Sequence, residues 1–388
     1  MSRVPGFTST GSKRPDAVFG ELAGEPGLPL RMLRSHGCRV EDDAGRVYVD
    51  YVMGLGAVAL GYAHPEVSAA VHAATEAGVV GPLPPVLEEE VADTIARLMP
   101  WIEQVRFLKT GAEAAAAAVR LARAHTGRDF VLGCGYHGWH DWCQPHGTRG
   151  VPASVSAGFA VLPFNDAERS SELLRSAGDG LAAIIIEPVI VDPPDPDWLG
   201  LLRAEADRVG AVLIFDEIKT IGRVALGGAV ERWGVIPDLV VMGKAIGNGF
   251  PIAAVGGKPE VMSAALHTWI SSTLATEFLS LAACRATLAV LERERVPEHL
   301  RRVGAVLLDG FRRAAERHPD MVKAAAGLPE MCFLQMRDER ASAAVAAGCA
   351  RRGVLLKRTA YDFVSLAHDE RIVGETLDVL DEVLDGLA

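Results

Sequence analysis

Residues 211–251 read AVLIFDEIKTIGRVALGGAVERWGVIPDLVVMGKAIGNGFP. Two apolar runs in this stretch, 211–217 and 239–244, end on charged side chains: the first on Asp216 and Glu217, the second on Lys244. Neither run alternates apolar with polar residues, and such runs belong to strands covered on both faces. The same pattern extends outward. VRFL (105–108), FVLG (130–133) and AAIIIEPV (182–189) read as further strands, and helical periodicity fills 112–125, 166–176 and 197–208. Strand and helix in turn predict an α/β fold with a mostly parallel sheet. After 244 the chain reads as a Gly-rich loop. Upstream, helices are expected at 65–77 and 86–98, and CRVEDDAGRVYVDYV (38–52) reads as strand, turn, strand. Residues 1–30, rich in Gly, Pro, Ser and Thr, read as an irregular arm. Downstream, helices at 276–292, 297–316, 339–351 and 371–387 and strands near 331–336 and 353–357 form an α+β pattern, expected as a separate smaller lobe.

The chain has 388 residues, 49% of them hydrophobic, which is enough to bury a sizeable core. Its net charge of −11 argues against a nucleic-acid footprint and against docking on anionic lipid. No long uncharged apolar window predicts a membrane span. The opening MSRVPGFTSTGSKRPD lacks the apolar core of a signal peptide. Six cysteines in so long a chain do not make a disulfide scaffold, so a cytoplasmic, thiol-reducing location is expected. Lysine is scarce: only residues 13, 109, 219, 244, 258, 323 and 357.

Lys244 stands at the end of a buried strand beside a Gly loop, where α/β sheets place their ligands. Burial lowers a lysine's pKa and makes it a usable nucleophile; the plain alternative is a snorkelling surface lysine. Asp216 could pair a cationic ring nitrogen or a metal, with Glu217 bracing it, or the two could cap the following turn. Thr110-Gly111-Ala112-Glu113 opens a helix: Thr110 and Glu113 fit a capping box, and the free N–H groups there also suit a phosphate. GCGYHGWHDWC (133–143) spaces Cys134, His137, His140 and Cys143 by three, superficially a zinc set. It lacks the usual second distant pair, and the competing reading is a loop presenting Tyr136 or Trp139 to an aromatic ring. The Gly-x-Gly pieces at 54–56, 133–135 and 247–249 lack the dinucleotide fingerprint, so a nicotinamide enzyme is a weak alternative.

In order and spacing, PGFTSTGSKRPD, YVDYVMGLGAVALGYAHPEV, VRFLKTGAEA, RLARAHTGRD, GYHGWHDW, IIIEPV, LIFDEIKTIGR, PDLVVMGKAIGNGFPIAAVGG and FVSLAHDE resemble the class III, fold-type I, pyridoxal-phosphate aminotransferases, in their glutamate-1-semialdehyde aminomutase-like branch. The resemblance covers almost the whole chain. It implies pyridoxal 5'-phosphate as cofactor and no metal. Lys244 would hold the cofactor as a Schiff base and move the substrate's α-proton, and Asp216 would bond the pyridine nitrogen so that the ring serves as electron sink. Thr110, Gly111 and Ala112 would cradle the phosphate, Ile218 and Tyr136 would cover the two ring faces, and His137 and Glu187 would complete the pocket. Thr273 would reach the phosphate of a partner subunit, which implies a homodimer with shared active sites. The implied domains are 1–60 (arm and part of a small domain), 61–285 (large cofactor-binding domain) and 286–388 (C-terminal small domain).

Departures from the family pattern cluster around the substrate pocket. The phosphate loop is Thr-Gly-Ala-Glu-Ala where Ser-Gly-Thr-Glu-Ala is common. EPVIVDPPDPD is shorter than the aminomutase loop and lacks its Asn, Glu277 occupies another Asn place, and the segment after 143 is short for a lid. These changes put tetrapyrrole-precursor aminomutase activity in doubt. The expected function is amino transfer from a small-molecule donor to an aldehyde or ketone acceptor of the amino-sugar or natural-product class; an aminomutase or epimerase using the same site is the alternative. A cofactor-free scaffold would be expected to lack Lys244 or Asp216, and both are present. Trp139, His140, Glu277 and Arg223 are the substrate-contact candidates.

Overall fold

Val212–Asp216 and Leu239–Met242 are buried along their whole length in the computed structural model, which describes residues 2–387. They lie in a seven-stranded sheet. We number its strands β1 (Gln104–Leu108), β2 (Phe130–Cys134), β3 (Phe159–Val161), β4 (Leu181–Ile186), β5 (Val212–Asp216), β6 (Leu239–Met242) and β7 (Ala253–Gly257). The spatial order is β1-β7-β6-β5-β4-β2-β3. All neighbours pair in parallel except β7, which runs antiparallel to both β1 and β6. The strand β7 (AAVGG) was expected as loop. Its small residues carry little strand signal, and the pairing comes from the two neighbours whose edges it fills.

The sheet belongs to the larger of two units, Pro65–Arg295; the other takes the chain up to His64 and from Val296 onward. The large unit extends past residue 285 because helix Phe278–Arg293 does not stop there. It packs on helix Pro65–Glu76, and its Glu292 pairs with Arg97 of helix Val86–Leu98 at 2.7 Å. That exposed ion pair contributes little; the buried face of the helix, with Leu281, Leu288 and Leu291, contributes more. Sheet residues such as Ile184, Ile185 and Ile214 are fully buried, and truncating one to Ala should cost about 2–5 kcal/mol.

The smaller unit has a sheet of Met32–His36, Arg39–Asp42, Val47–Asp50 and Val354–Leu355, and a second of Val322–Leu328, Met331–Met336 and Asp362–Phe363. Helices Val296–Arg317, Glu339–Arg351 and Glu370–Leu387 belong to the same unit. The first thirty residues are less irregular than their composition suggests. Pro15–Phe19 is a short helix, and Phe19 is buried against Ala346, Ala347 and Ala350.

His368, in the FVSLAHDE segment, is fully buried, and its Nδ1 accepts the Ser365 N–H at 3.1 Å. Burial pushes its pKa down to about 3. The unfolded chain therefore binds this proton first: stability is present above the ordinary histidine range and is lost as pH falls toward 3. Acid titration of the unfolding free energy should show a loss of several kcal/mol over that interval. His368→Asn should flatten that slope, and an unchanged slope would remove His368 as its source.

Candidate functional site

Five parallel strands, β1, β2, β4, β5 and β6, point their carboxyl ends at one edge of the large unit, where open α/β sheets bind ligands. The residues singled out from sequence follow directly: Thr110 after β1, Tyr136 and His137 after β2, Glu187 after β4, Asp216 ending β5 and Lys244 after β6.

Asp216 is 2% exposed. Its Oδ2 lies 2.8 Å from His137 Nδ1, and its Oδ1 accepts the Ile218 N–H at 3.3 Å. Trp142 stacks behind the His137 ring, with centroids 6.2 Å apart. The brace on Asp216 is thus His137. Glu217, expected in that role, faces elsewhere: its oxygens accept the N–H groups of Ala229 at 2.8 Å and Val230 at 3.0 Å and the Thr220 hydroxyl. Full burial pushes the Glu217 carboxyl up to about 7.

Lys244 has φ of +46°, a left-handed conformation uncommon for a residue other than Gly or Asn. Burial, then the Lys219 charge, press its amine down to about 8, against the opposing pull of Glu187 and Asp216. An amine in that range is partly neutral at physiological pH, as a nucleophile or general base requires.

Thr110 caps the sixteen-residue helix Gly111–Thr126. Its hydroxyl accepts the Glu113 N–H, and Glu113 Oε2 accepts the Thr110 N–H at 2.9 Å, the reciprocal box expected from sequence. Helix geometry leaves the N–H groups of residues 111 and 112 without a partner in the preceding turn. A β-carbon at Gly138 would fall 2.4 Å from that of Ala112, so the loop after β2 can lie on this helix start only with glycine at 138, where φ is +101°. Ile218 reaches the same place: its Cδ1 would be 2.5 Å from a β-carbon at Gly111, and its Cγ1 3.6 Å from one at Gly243. Ile218 therefore bridges the helix start and the residue preceding Lys244.

The remaining candidates divide. Tyr136 and Trp139 are about 70% exposed, and Trp139 meets His140 edge-on at 4.9 Å. Thr273 is exposed in the segment leading to helix Phe278–Arg293. Arg223, another substrate-contact candidate, is fully buried, with its charge felt at Lys244. Glu277, the fourth substrate-contact candidate, is engaged within the chain. Its carboxylate caps helix Phe278–Arg293 through the Leu279 and Ser280 N–H groups and pairs with Lys109 Nζ at 2.6 Å. Three residues of this region lay outside the sequence reading: Lys109, Trp142 and Lys219. Lys219 Nζ lies 2.9 Å from Glu187 Oε1.

The donor set fits a pyridoxal phosphate. It offers a buried carboxylate for a cationic nitrogen, an amine near neutrality for a carbonyl carbon, and a helix N-terminus for a phosphate. His137 Nε2 is also buried without a hydrogen-bond partner.

A model of the class III aminotransferases matches residues 23–384. The chain belongs to that family. Its members depend on pyridoxal 5'-phosphate, and so does this enzyme. The chain is 36% identical over 387 residues to a glutamate-1-semialdehyde 2,1-aminomutase of Roseiflexus castenholzii, covering 90% of this chain and 89% of that one. It is 33% identical to another of Desulfitobacterium hafniense, over 100% and 97% of the two chains. Among solved structures, the FumI protein of Sphingopyxis sp. MTA144 superposes with a TM-score of 0.89 at 28% identity, over 93% of this chain and 90% of that one. These matches agree with the mixed, mostly parallel sheet of the fold-type I aminotransferases. No helix among the described residues is long and apolar enough to cross a membrane.

Proposed function

We propose that this class III enzyme transfers an amino group from a small-molecule donor to an aldehyde or ketone acceptor, a sugar or natural-product carbonyl being the class of acceptor. The observation that carries the reading is that a buried, histidine-braced carboxylate ends β5 while a partly neutralised lysine amine follows the adjacent β6. When bound, the cofactor supplies an electrophilic carbon and an electron-withdrawing ring. Lys244 is the residue to which it is attached and the base that takes the substrate's α-proton. Asp216 keeps the ring nitrogen protonated, and His137 fixes the carboxylate's orientation. Thr110 and the N–H groups of residues 111 and 112 hold the phosphate. Ile218 and Tyr136 cover the ring faces, and Glu187 borders the ring. Trp139 and His140 are left as substrate contacts.

Thr273 acts across a homodimer in this reading. Leu266, Trp269 and Leu274, close to it in sequence, are 84%, 82% and 52% accessible, exposed apolar side chains of the kind a subunit interface covers. All six cysteines are free, which suits a cytoplasmic location.

A second reading, an aminomutase that returns the amine to the same carbon framework, is favoured by the named activity of the two relatives. The departure in EPVIVDPPDPD weighs toward net transfer, because it alters the loop after β4 while Lys244 and Asp216 remain. Visible absorption separates the two. The holoenzyme is expected to be yellow, to bleach with an amino donor such as L-glutamate or L-glutamine, and to regain colour with a keto acceptor. A yellow enzyme that no donor bleaches would favour the aminomutase, and a chain that stays colourless with pyridoxal phosphate would overturn both.

A further inference from the structure

Lys219 stands in the turn after β5, one residue beyond Ile218, and is neither a surface lysine nor a duplicate of Lys244. Its ammonium pairs with Glu187 with both side chains about nine-tenths buried, at 12% and 8% exposure. The other Glu187 oxygen accepts the Tyr136 N–H at 2.9 Å. The carboxylate is therefore held from both sides, and the backbone that carries Tyr136 and His137 hangs from it. Gly135 makes the approach feasible, since a β-carbon there would lie 2.6 Å from Glu187 Oε2. Four charges bear on Lys244: Lys219 and Arg223 oppose its protonation, Glu187 and Asp216 favour it. Asp216 is already engaged by His137. Glu187 is the carboxylate that Lys219 neutralises.

We propose that Lys219 is a positioning residue for Lys244: clamped on Glu187, its ammonium cancels that carboxylate and sets a fixed positive charge against the Lys244 amine. The proposal rests on Lys244 being the residue that carries the cofactor. It gives the turn after β5 two roles, with Ile218 shaping the space and Lys219 setting the field. Burial and Lys219 act in the same direction, so the amine is held ready near neutral pH.

The test is competitive acetylation of the full-length chain freed of cofactor, with labelling at Lys244 followed by mass spectrometry against pH. The wild-type midpoint is expected near pH 8. Lys219→Met should raise it by about one pH unit, because repulsion is lost and Glu187 is uncovered. Adding Glu187→Gln to that variant should bring it back down, and Lys219→Arg should leave it near the wild-type value. Lys219→Gln serves if the methionine variant fails to fold. A midpoint unmoved in the uncharged variants overturns the proposal and leaves Lys219 a structural clamp on Glu187. Borohydride reduction of the holoenzyme tests the underlying reading separately: cofactor fixed to a lysine other than Lys244 would sink that reading whatever the midpoint does.

Discussion

Lys244→Ala is expected to abolish turnover, lowering the rate by at least about 10⁴-fold, while the protein stays folded. Two functions are lost together: the covalent hold on the cofactor and the base that moves the substrate's α-proton. General acid–base catalysis alone accounts for about 10²–10⁴-fold, and covalent attachment adds to it. The fold should survive because the neighbouring charges have other partners. Asp216 keeps His137, and Glu187 keeps Lys219. Removing Lys244 also relieves its repulsion with Lys219 and Arg223. The strained backbone at φ +46° remains, since alanine dislikes that region as lysine does. The change in stability should be about 1 kcal/mol or less, a shift in Tm of about 2–4 °C at most. Turnover, Tm and cofactor retained after gel filtration are the readouts. Small primary amines added to the variant should restore part of the rate, since they replace the lost base. Turnover like that of the wild type would remove Lys244 from the mechanism.

That lysine was legible because an apolar run ending on a charge is a local signal. The same holds for Asp216 and for the capping box, where Thr110 and Glu113 are three residues apart. What could not be read were partners brought together by the sheet. His137 and Asp216 are 79 residues apart, and Lys109 and Glu277 are 168 apart; only the order of β2, β4 and β5, or the return of helix Phe278–Arg293, makes them neighbours. The partners of Glu277 were hidden for a chemical reason. The helix is legible at 276–292, but glutamate is not a favoured N-cap, so nothing in the sequence marks Glu277 as the residue that caps it. Its second partner, Lys109, supplies the charge that makes the position tenable. Lys219 carried no signal at all beyond its rarity as a lysine. Its neighbours in sequence, Ile218 and Thr220, say nothing of Glu187 across the sheet. The strand β7 was missed for the opposite reason: its residues are too small to show a pattern, and the neighbouring strands decide its conformation.

Asp216→Asn is the second large effect, and it should separate cofactor binding from proton abstraction. The amide is nearly the same size as the carboxylate, so the Ile218 N–H still has an oxygen to donate to, and the β5–β6 register is untouched. Lys244 and the helix start at Gly111 are both intact, so the variant should still take up pyridoxal phosphate. The buried negative charge is gone, however, and with it the reason for a pyridine nitrogen to hold its proton in a site that is 2% exposed. A neutral ring withdraws electrons less, and the negative charge that develops at the substrate's α-carbon is less stabilised. Removing one such electrostatic stabiliser lowers rates by about 10²–10³-fold. The loss should appear in kcat, with a primary deuterium isotope effect at the α-carbon larger than in the wild type. His137 sharpens the test, because its Nδ1 faces the altered side chain at 2.8 Å. His137→Asn should weaken the same step while leaving the carboxylate in place, and so fall between the wild type and Asp216→Asn. If Asp216→Asn retains the wild-type rate and isotope effect, the carboxylate has no part in proton abstraction and its pairing with His137 is structural only.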